Sequence, residues 1–151
     1  MVRYSDETRK IVADLKYHRQ KSLALEIAYV MAELVDALSP PDVLAWIPTT
    51  DHHRALRGFD HAELITRHLG ALVSIPARRV LRRITKEHQT GKSRKMRLEN
   101  VSFVASPNVA GQNVWAIDDV WTTGSTFRHA ACALLGAGAS SVVCVAYAHV
   151  P

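Results

Sequence analysis

Cysteine, aromatic residues and long apolar runs are all scarce in this sequence of 151 residues. The two cysteines, Cys132 and Cys144, are too few for a disulfide framework or a four-cysteine zinc site. No apolar run reaches the roughly 18 residues that a membrane-spanning helix needs. Residues 1–21 carry charges throughout, unlike a secretory signal. The sequence therefore predicts a cytoplasmic protein without membrane contact, and we expect both thiols to be free and buried.

The rest of the composition is typical of a globular protein. Hydrophobic residues make up 48% of the chain and charged residues 22%, which excludes a disordered or fibrous chain. A chain of this length fits one domain and can bury a core without a disulfide or metal. We therefore expect a single domain over residues 1–151.

Positive charge is concentrated in one segment, residues 78–97. It contains nine basic residues and one acidic residue, whereas the whole chain has a net charge of +5. Everything outside this segment is therefore slightly acidic. A polyanion is one partner that such a segment predicts, and a solvated loop is the simpler alternative.

Apolar periodicity and breaker residues predict alternating helices and strands. The predicted helices cover residues 5–16, 23–38, 60–72 and about 125–135, and the predicted strands lie at 43–47, near 80–81 and at 101–104, 114–117 and 142–146. Residues 48–57 and 83–99 are predicted to be polar loops. This order is typical of an α/β fold with a parallel sheet flanked by helices. We expect a helical segment at 1–38 followed by a core at 42–150.

An acidic pair and a glycine loop follow the clearest predicted strand. Asp118 and Asp119 come directly after the apolar run 114–117, and residues 122–126 read TTGST before the next predicted helix. Gly124 permits a sharp turn, and the amides at a helix N-terminus bind anions. Small hydroxyl side chains suit a phosphate monoester, and carboxylates accept hydrogen bonds from sugar hydroxyls. The pattern indicates a ribose 5-phosphate site, although an acidic pair that only caps a turn is the simpler alternative.

These residues also carry a family resemblance. The stretch VWAIDDVWTTGST at 114–126 resembles the phosphoribosyl-pyrophosphate (PRPP) motif of type I phosphoribosyltransferases. RGFDHAEL at 57–64 is similar to the RGFNQAEL segment of the ComF-like, or competence protein F, branch. Residues 89–101 match the spacing of its Q-x-G-x-S-R-x-x-R-x-x-N-V segment, and LKY at 15–17 resembles a segment near its start. The sequence departs from the family in having Asp60-His61 for Asn-Gln, Lys92 for Leu, and no cysteine-rich zinc module near the start.

The resemblance implies a type I phosphoribosyltransferase-like fold, with the N-terminal helices as a hood over the acceptor. It implies that PRPP binds with Mg²⁺ and releases pyrophosphate. The implied catalytic residues are Asp118, Asp119, Lys92 and Arg94, with both aspartates reaching the metal only indirectly, through Mg-PRPP. The implied ligand-binding residues are Thr122, Thr123, Gly124, Ser125, Thr126, Thr49, Thr50 and Arg57. Lys92 and Arg94 belong to the basic loop that would close over the pyrophosphate.

The acceptor and the activity stay open at this stage. Purine-salvage relatives have an acid where this chain has Thr122, and a threonine cannot manage the proton of a base. Trp121 is predicted either to stack on a ring or to pack in the core. The main alternative is a non-catalytic module in DNA uptake or competence that binds single-stranded DNA or a partner protein, although residues 78–97 contain no aromatic stacking platform. A homo-oligomer is a further open possibility.

Overall fold

The computed structural model describes residues 2–3, 5–17, 20–84 and 102–150. Helices and strands alternate along most of these residues. The elements, in chain order, are β1 Val2–Arg3, α1 Asp6–Tyr17, α2 Leu23–Ala37, β2 Val43–Trp46, α3 Asp51–Arg57, α4 His61–Val73, β3 Ala77–Arg78, β4 Leu81–Ile84, β5 Ser102–Ala105, a 3₁₀ turn at Pro107–Val109, β6 Asn113–Trp121, α5 Ser125–Gly136 and β7 Ser141–His149. No helix in these ranges is long and apolar enough to cross a membrane.

Five strands form a parallel sheet in the order β1-β7-β6-β2-β3. The central strand β6 pairs with β7 along almost its whole length, from Asn113 opposite Ser141 to Trp121 opposite His149. Strands β4 and β5 form a separate antiparallel pair. Parallel strands need crossover connections, and the helices between them cover both faces of the sheet. The structure confirms the predicted α/β class with a parallel sheet flanked by helices.

A hydrophobic cluster lies on each face of this sheet. One cluster joins α1, α2 and α4 to Trp115 and Ile117 of β6. The other joins α5 and the β4–β5 pair to Val114 and Ala116 of the same strand. Residues 114 to 117 therefore alternate between the two cores, as the period of a strand requires.

Three predicted boundaries were wrong. The segment expected to be a polar loop at 48–57 contains helix α3, because the Thr50 hydroxyl accepts a hydrogen bond from the amide of His53 and caps it. Arg83 belongs to β4, paired with Phe103, and not to the long loop. Strand β6 does not stop before the acidic pair but continues to Trp121. Residues 85–101, with the rest of that loop, lie outside the described residues.

The prediction of buried thiols was also only partly correct. Cys144 is half-buried on β7, and burial raises the pKa of its thiol to about 11. Cys132 is exposed on α5. The apolar residues that surround Cys132 in sequence lie on another side of the helix, because neighbouring helical residues point in different directions.

Candidate functional site

A cleft opens where strand β2 separates from β6. The pairing of the two strands ends at Trp46 opposite Ile117, and the amide of Ile47 makes a last hydrogen bond of 2.9 Å to the carbonyl of Ile117. On its other side, β6 stays paired with β7 for four more residues. The β2 side of Asp118 and its successors therefore has no neighbouring strand within the described residues. This gap forms one edge of a cleft of about 530 Å³.

The cleft combines two carboxylates with several cations. Its wall includes residues of α1, of the segment after β2, of α4 and of β6. The lining residues are Arg9, Val12, Ala13, Lys16, Ile47, Pro48, Thr49, His53, Arg57, His61, Arg83, Asp118, Asp119, Val120, Thr122, Thr126 and Val150. None of these side chains is an aromatic ring of the Phe, Tyr or Trp type, so the described part of the cleft offers no stacking platform.

Asp118 is the more accessible of the two acids. It is partly buried, and its Oδ1 accepts a hydrogen bond of 2.9 Å from the amide of Asp119. Burial and the neighbouring Asp119 carboxylate raise the pKa of Asp118 to about 7, against the opposing influence of His61 and Lys16. Asp118 therefore gains or loses its negative charge close to neutral pH.

Asp119 is almost completely buried and is held by two helices. Its Oδ2 lies 2.6 Å from Nζ of Lys16 on α1 and 3.4 Å from Nε2 of His61 on α4. Burial alone would raise the pKa of Asp119, but the contacts of His61 and Lys16 outweigh it and hold that pKa well below its usual range. Asp119 is therefore a permanent carboxylate.

The orientation of His61 is set by Arg57. Nη1 of Arg57 lies 3.2 Å from Nδ1 of His61. A guanidinium only donates hydrogen bonds, so Nδ1 must accept, and in the neutral ring the proton is on Nε2, which faces Asp119. Arg57, His61 and Asp119 thus lie in one line of contacts, a hydrogen bond followed by a 3.4 Å approach, that links the end of α3 to the central strand.

The loop at 122–126 presents unused amides. Gly124 has φ of 71°, and the loop leads directly into α5, where the amide of Arg128 makes the first intrahelical bond to the carbonyl of Gly124. Within the described residues, the amides of Thr123, Gly124 and Thr126 have no backbone acceptor. Such a group of amides at the positive end of a helix is a site for an anion.

Trp121 supports this loop from below. Its ring stacks on Phe127 with 4.8 Å between ring centroids, and a Cβ added at Gly124 would lie 2.8 Å from a carbon of the indole. Of the two predictions for Trp121, the structure agrees with packing. Two features therefore restrict position 124 to glycine, which are the positive φ angle of its backbone and the close approach of the Trp121 ring.

Asp60 joins the segment after β2 to helix α4. Its Oδ1 caps α4 through the amides of Ala62 and Glu63, at 3.1 and 3.5 Å. Its Oδ2 accepts a hydrogen bond of 2.9 Å from the amide of Thr49. The side chain is 5% exposed, so the two acceptor atoms are fully committed inside the protein. Thr49 is thereby fixed at the rim of the cleft.

A second, smaller cavity of about 190 Å³ lies beside the cleft. Pro48, Thr49 and Arg83 line both. The residues that line only the smaller cavity are Trp46, Thr50, Asp51, Arg54, Asp60, Arg79 and Arg82. Arg83 is half-buried, and burial lowers its pKa, partly offset by Asp118 and Asp60. Its guanidinium lies 5.4 Å above the ring of Phe103. A partly desolvated cation between two cavities is suited to an anionic ligand that reaches into both.

The acidic side chains do not fit a directly bound Mg²⁺. One ligand atom each from His61, Asp118 and Asp119 lie within 4.8 Å of one another. However, Mg²⁺ prefers an octahedral shell of oxygens, and the ammonium of Lys16 already occupies Oδ2 of Asp119. Any Mg²⁺ at this site would have to enter on the ligand and not on these three side chains.

Most of the predicted site residues lie around this one edge of the sheet. Asp118, Asp119, Thr122, Thr126, Thr49 and Arg57 line the cleft, Thr50 lines the smaller cavity, and Thr123, Gly124 and Ser125 complete the loop beside them. Lys92 and Arg94 lie outside the described residues. Sequence reasoning did not assign Lys16, His61 or Arg83 to the site. Lys16 lies in the LKY segment and His61 in the RGFDHAEL segment, and their place in segments that resemble the family was the signal that could have assigned them to the site. Nothing in the sequence distinguished Arg83 from its basic neighbours.

Comparison with known proteins identifies relatives of the whole described region. No family model matches the chain. It is 30% identical to DNA utilization protein YhgH of Salmonella typhimurium in an alignment of 150 residues that covers 92% of this chain and 66% of the relative. It is 33% identical to competence protein ComFC of Bacillus subtilis over 103 residues, which are 67% of this chain and 41% of the relative. These relatives are consistent with the resemblance to the ComF-like family that the sequence motifs indicate. The chain spans slightly less than two thirds of the length of YhgH and less than half of ComFC.

Solved structures with the same fold agree with this resemblance. A glutamine phosphoribosylpyrophosphate amidotransferase from B. subtilis, complexed with ADP and GMP, superposes with a TM-score of 0.57 at 21% identity, over 82% of this chain and 26% of that protein. At this identity the likeness shows the fold. The chain thus has a type I phosphoribosyltransferase fold.

Proposed function

We propose that this chain binds PRPP, accompanied by Mg²⁺, in the cleft at the edge of β6, and transfers its phosphoribosyl group to an acceptor with release of pyrophosphate. The observation that supports this most is a juxtaposition. A loop with three unused amides stands next to an accessible carboxyl group, and several cations line the remaining wall. These features match the three parts of the ligand, which are a phosphate, a sugar with two hydroxyls and a pyrophosphate.

The 5-phosphate would bind to residues 122–126. Amides of this loop and the N-terminal end of α5 provide donors and a favourable dipole, and the hydroxyls of Thr122 and Thr126 line the cleft itself. The ribose hydroxyls would then reach the acidic pair, where Asp118 is the accessible acceptor. Because the pKa of Asp118 is about 7, the carboxylate form that accepts two hydroxyl hydrogen bonds prevails above neutral pH.

The pyrophosphate would lie toward the wall that contains Thr49 and the cations Arg57 and Arg83. When the bond between C1 and oxygen breaks, its electron pair leaves with the pyrophosphate, and fixed positive charge stabilises the transition state. Lys92 and Arg94 of the basic loop are proposed to add charge there and to exclude water, which would otherwise capture the ribose cation. The new bond forms between C1 and the acceptor.

The test is ligand-dependent stabilisation followed by turnover. PRPP with Mg²⁺ at about 100 times the dissociation constant should raise the free energy of unfolding by about 2.7 kcal/mol. PRPP with excess chelator and ribose 5-phosphate alone serve as comparisons. Pyrophosphate release is then measured with a panel of bases and amines as acceptors. No stabilisation at millimolar PRPP with Mg²⁺ would reject the proposal, and stabilisation without turnover on any acceptor would reduce it to PRPP binding.

Binding of single-stranded DNA is the second candidate function. Three exposed arginines lie close together in sequence: Arg78 on β3, Arg79 directly after it and Arg82 on β4. The relatives are named for DNA utilization and competence. Such binding should weaken by several orders of magnitude between about 50 and 200 mM salt. A binding constant that hardly changes with salt, or that is unchanged when these arginines are replaced by Gln, would exclude it.

A further inference from the structure

The two acids of the motif have different surroundings, although they are adjacent. Neighbouring strand residues point to opposite faces, and Ile117 lies in the cluster of α1, α2 and α4 whereas Ala116 lies in the cluster of α5. Asp119 accordingly faces α1 and α4, where it is 2% exposed. Asp118 belongs to the opposite face of the strand and is partly open to the cleft.

Donors from two helices hold Oδ2 of Asp119. Lys16 of α1 lies 2.6 Å away, and Nε2 of His61, oriented by Arg57, lies 3.4 Å away. A buried carboxylate is tolerated only when it is paired in this way. Lys16 is itself 20% exposed at its side chain and lines the cleft, so its charge lies between the buried acid and the ligand space.

We propose that Lys16 is a positioning residue of the PRPP site: through its ion pair with Asp119 it neutralises the inner acid and leaves Asp118 as the carboxylate that binds the sugar hydroxyls. The inference rests on the proposed function. The motif gives the binding of the sugar hydroxyls to both acids, whereas we assign it to Asp118 alone. Asp119 then does not touch the ligand but anchors α1 to the central strand.

The electrostatic reason follows from the position of the charges around Asp118. Within the described residues, the charged and titratable groups that line the cleft together with Asp118 are Asp119 of the same strand, Lys16 and Arg9 of α1, His53 and Arg57 of α3, His61 of α4 and Arg83 of β4. Asp119 opposes ionisation of Asp118, whereas Lys16 and His61 favour it. Without Lys16, two neighbouring carboxyl groups in a partly desolvated site would compete for ionisation, and Asp118 would retain its proton to higher pH.

Binding of PRPP with Mg²⁺ is therefore measured from pH 6 to pH 9 in four variants. Lys16→Met should move the pH of half-maximal affinity upward by about one unit, which is about a fivefold loss at pH 7 and nearly none at pH 9. Lys16→Arg keeps the charge and should keep the wild-type profile. Lys10→Met is the matched control, because Lys10 is exposed on the same helix and does not line the cleft.

The double variant Lys16→Met/Asp119→Asn gives the decisive comparison. It removes both partners, so no unpaired charge is left inside, and it should bind PRPP at pH 7 more tightly than Lys16→Met alone. Should the single variant not fold, the double variant is compared with the wild type: an affinity at pH 7 close to that of the wild type supports the inference, and a large loss overturns it. A loss of affinity in Lys16→Met that is equal at every pH would overturn the inference, since Lys16 would then contact the ligand directly. A double variant that binds more weakly still would overturn it too, since Asp119 would then be a ligand.

A measurement without ligand separates this inference from the proposed function. The titration of the Asp118 carboxyl carbon is followed by NMR in the wild type and in Lys16→Met. A higher pKa of Asp118 in the variant supports the role of Lys16, and an unchanged pKa rejects it. If the wild type fails to bind PRPP at any pH, the proposed function is wrong, and this titration still decides whether Lys16 controls the charge of Asp118.

Discussion

The two faces of strand β6 differ in how completely they are covered. On one face, α1, α2 and α4 enclose Trp115, Ile117 and then Asp119, which forms an ion pair with Lys16 and lies 3.4 Å from Nε2 of His61. On the other face, α5 and the β4–β5 pair cover Val114 and Ala116 but leave Asp118 at the edge of the cleft. One strand thus carries a fully paired acid and a partly open one at successive positions.

The different surroundings of the two acids indicate which of them can contribute free energy to ligand binding. A polar group whose partners are inside the protein contributes to stability, whereas a group that lacks them is destabilising until a ligand supplies them. Asp119 belongs to the first kind, whereas Asp118, which accepts a hydrogen bond only from the amide of Asp119 within the described residues, is closer to the second. Functional sites commonly reduce stability in this way. Substitutions on the two faces should therefore have opposite effects on stability and on binding.

The largest expected effect comes from exchanging each acid for its amide. Asp118→Asn should weaken PRPP binding at pH 8 by about 100-fold, because about 3 kcal/mol of charged hydrogen bonds to the hydroxyls is lost. Its free energy of unfolding should stay equal or rise. Asp119→Asn should lower the free energy of unfolding by about 2–3 kcal/mol, at the lower end for a broken buried pair because Lys16 can reach water. Calorimetric titration and urea unfolding measure the two quantities.

If both variants lost binding and stability in equal proportion, the contrast between the two acids would be wrong. Glu63→Gln on α4 is a suitable control, because its contacts with Arg67 and Arg54 are at the surface. Such pairs contribute little, so this variant should match the wild type in both measurements.

The second effect concerns the loop on the more open face. Gly124→Ala should lower the free energy of unfolding by about 1–2 kcal/mol, because alanine is strained at φ of 71° and its Cβ would meet Trp121. Phosphate affinity should fall with it. Gly136→Ala is the matched control at the other end of α5, where a Cβ meets nothing within 4 Å. It should be neutral or stabilise the protein by roughly 0.5 kcal/mol, and equal losses in both variants would contradict the loop geometry.

The third effect is the contribution of Asp118 to the pH dependence of stability. The folded protein keeps the Asp118 proton up to about pH 7, whereas the unfolded chain releases it near 3.8. Between these values the folded state binds more protons, so stability falls as pH rises. The loss should be on the order of 1 kcal/mol, since the open cleft screens the charge.

Subtracting the curve of Asp118→Asn from that of the wild type isolates this contribution in urea titrations from pH 4 to 8. Asp119 acts in the opposite sense. Its depressed pKa stabilises the protein above pH 3.8, and that contribution is lost as pH falls further. A difference curve that is flat from pH 4 to 8 would show that Asp118 has an ordinary pKa.

The smallest effect is chemical and leaves stability unchanged. Cys132 is exposed on α5, while Cys144 is half-buried beneath it, 3.9 Å from the carbonyl of Phe127, with a pKa raised to about 11. Iodoacetamide at pH 8 should therefore alkylate Cys132 at least about tenfold faster, because the thiolate is the reacting form. Peptide mass spectrometry over time resolves the two sites. Equal rates would mean that the face under α5 opens more readily than its packing implies.

The sequence predicted the fold well where a signal is local. Apolar runs such as 43–47 and the glycine that precedes α5 are read directly from neighbouring residues, and the motif at 114–126 placed the loop correctly. Helix α3 was missed because it is short and has no buried residue, so no apolar period marks it. The extension of β6 past Asp119 depends on pairing with β7, which sequence spacing does not reveal.

The same reasoning explains what was found and missed in the site. Asp118 and Gly124 were predicted from the residues around a strand end and a turn, and Thr49 was predicted from the family resemblance. Lys16 lies about 100 residues away from Asp119 along the chain, and only the docking of α1 brings them together. Such contacts between distant segments are set by packing, so the unequal state of the two acids could be seen only in the structure.

The shared carboxylate of Asp60 has a mechanical consequence. It fastens the Thr49 amide and the first turn of α4 to the same two oxygens, and His61 is the next residue along. If an anion displaces the segment that contains Thr49, the displacement is therefore transmitted through Asp60 to the imidazole of His61, which lies next to Asp119. In the proposed complex with PRPP, binding of the pyrophosphate next to Thr49 would therefore be coupled to the position of His61 and, through it, of Asp119.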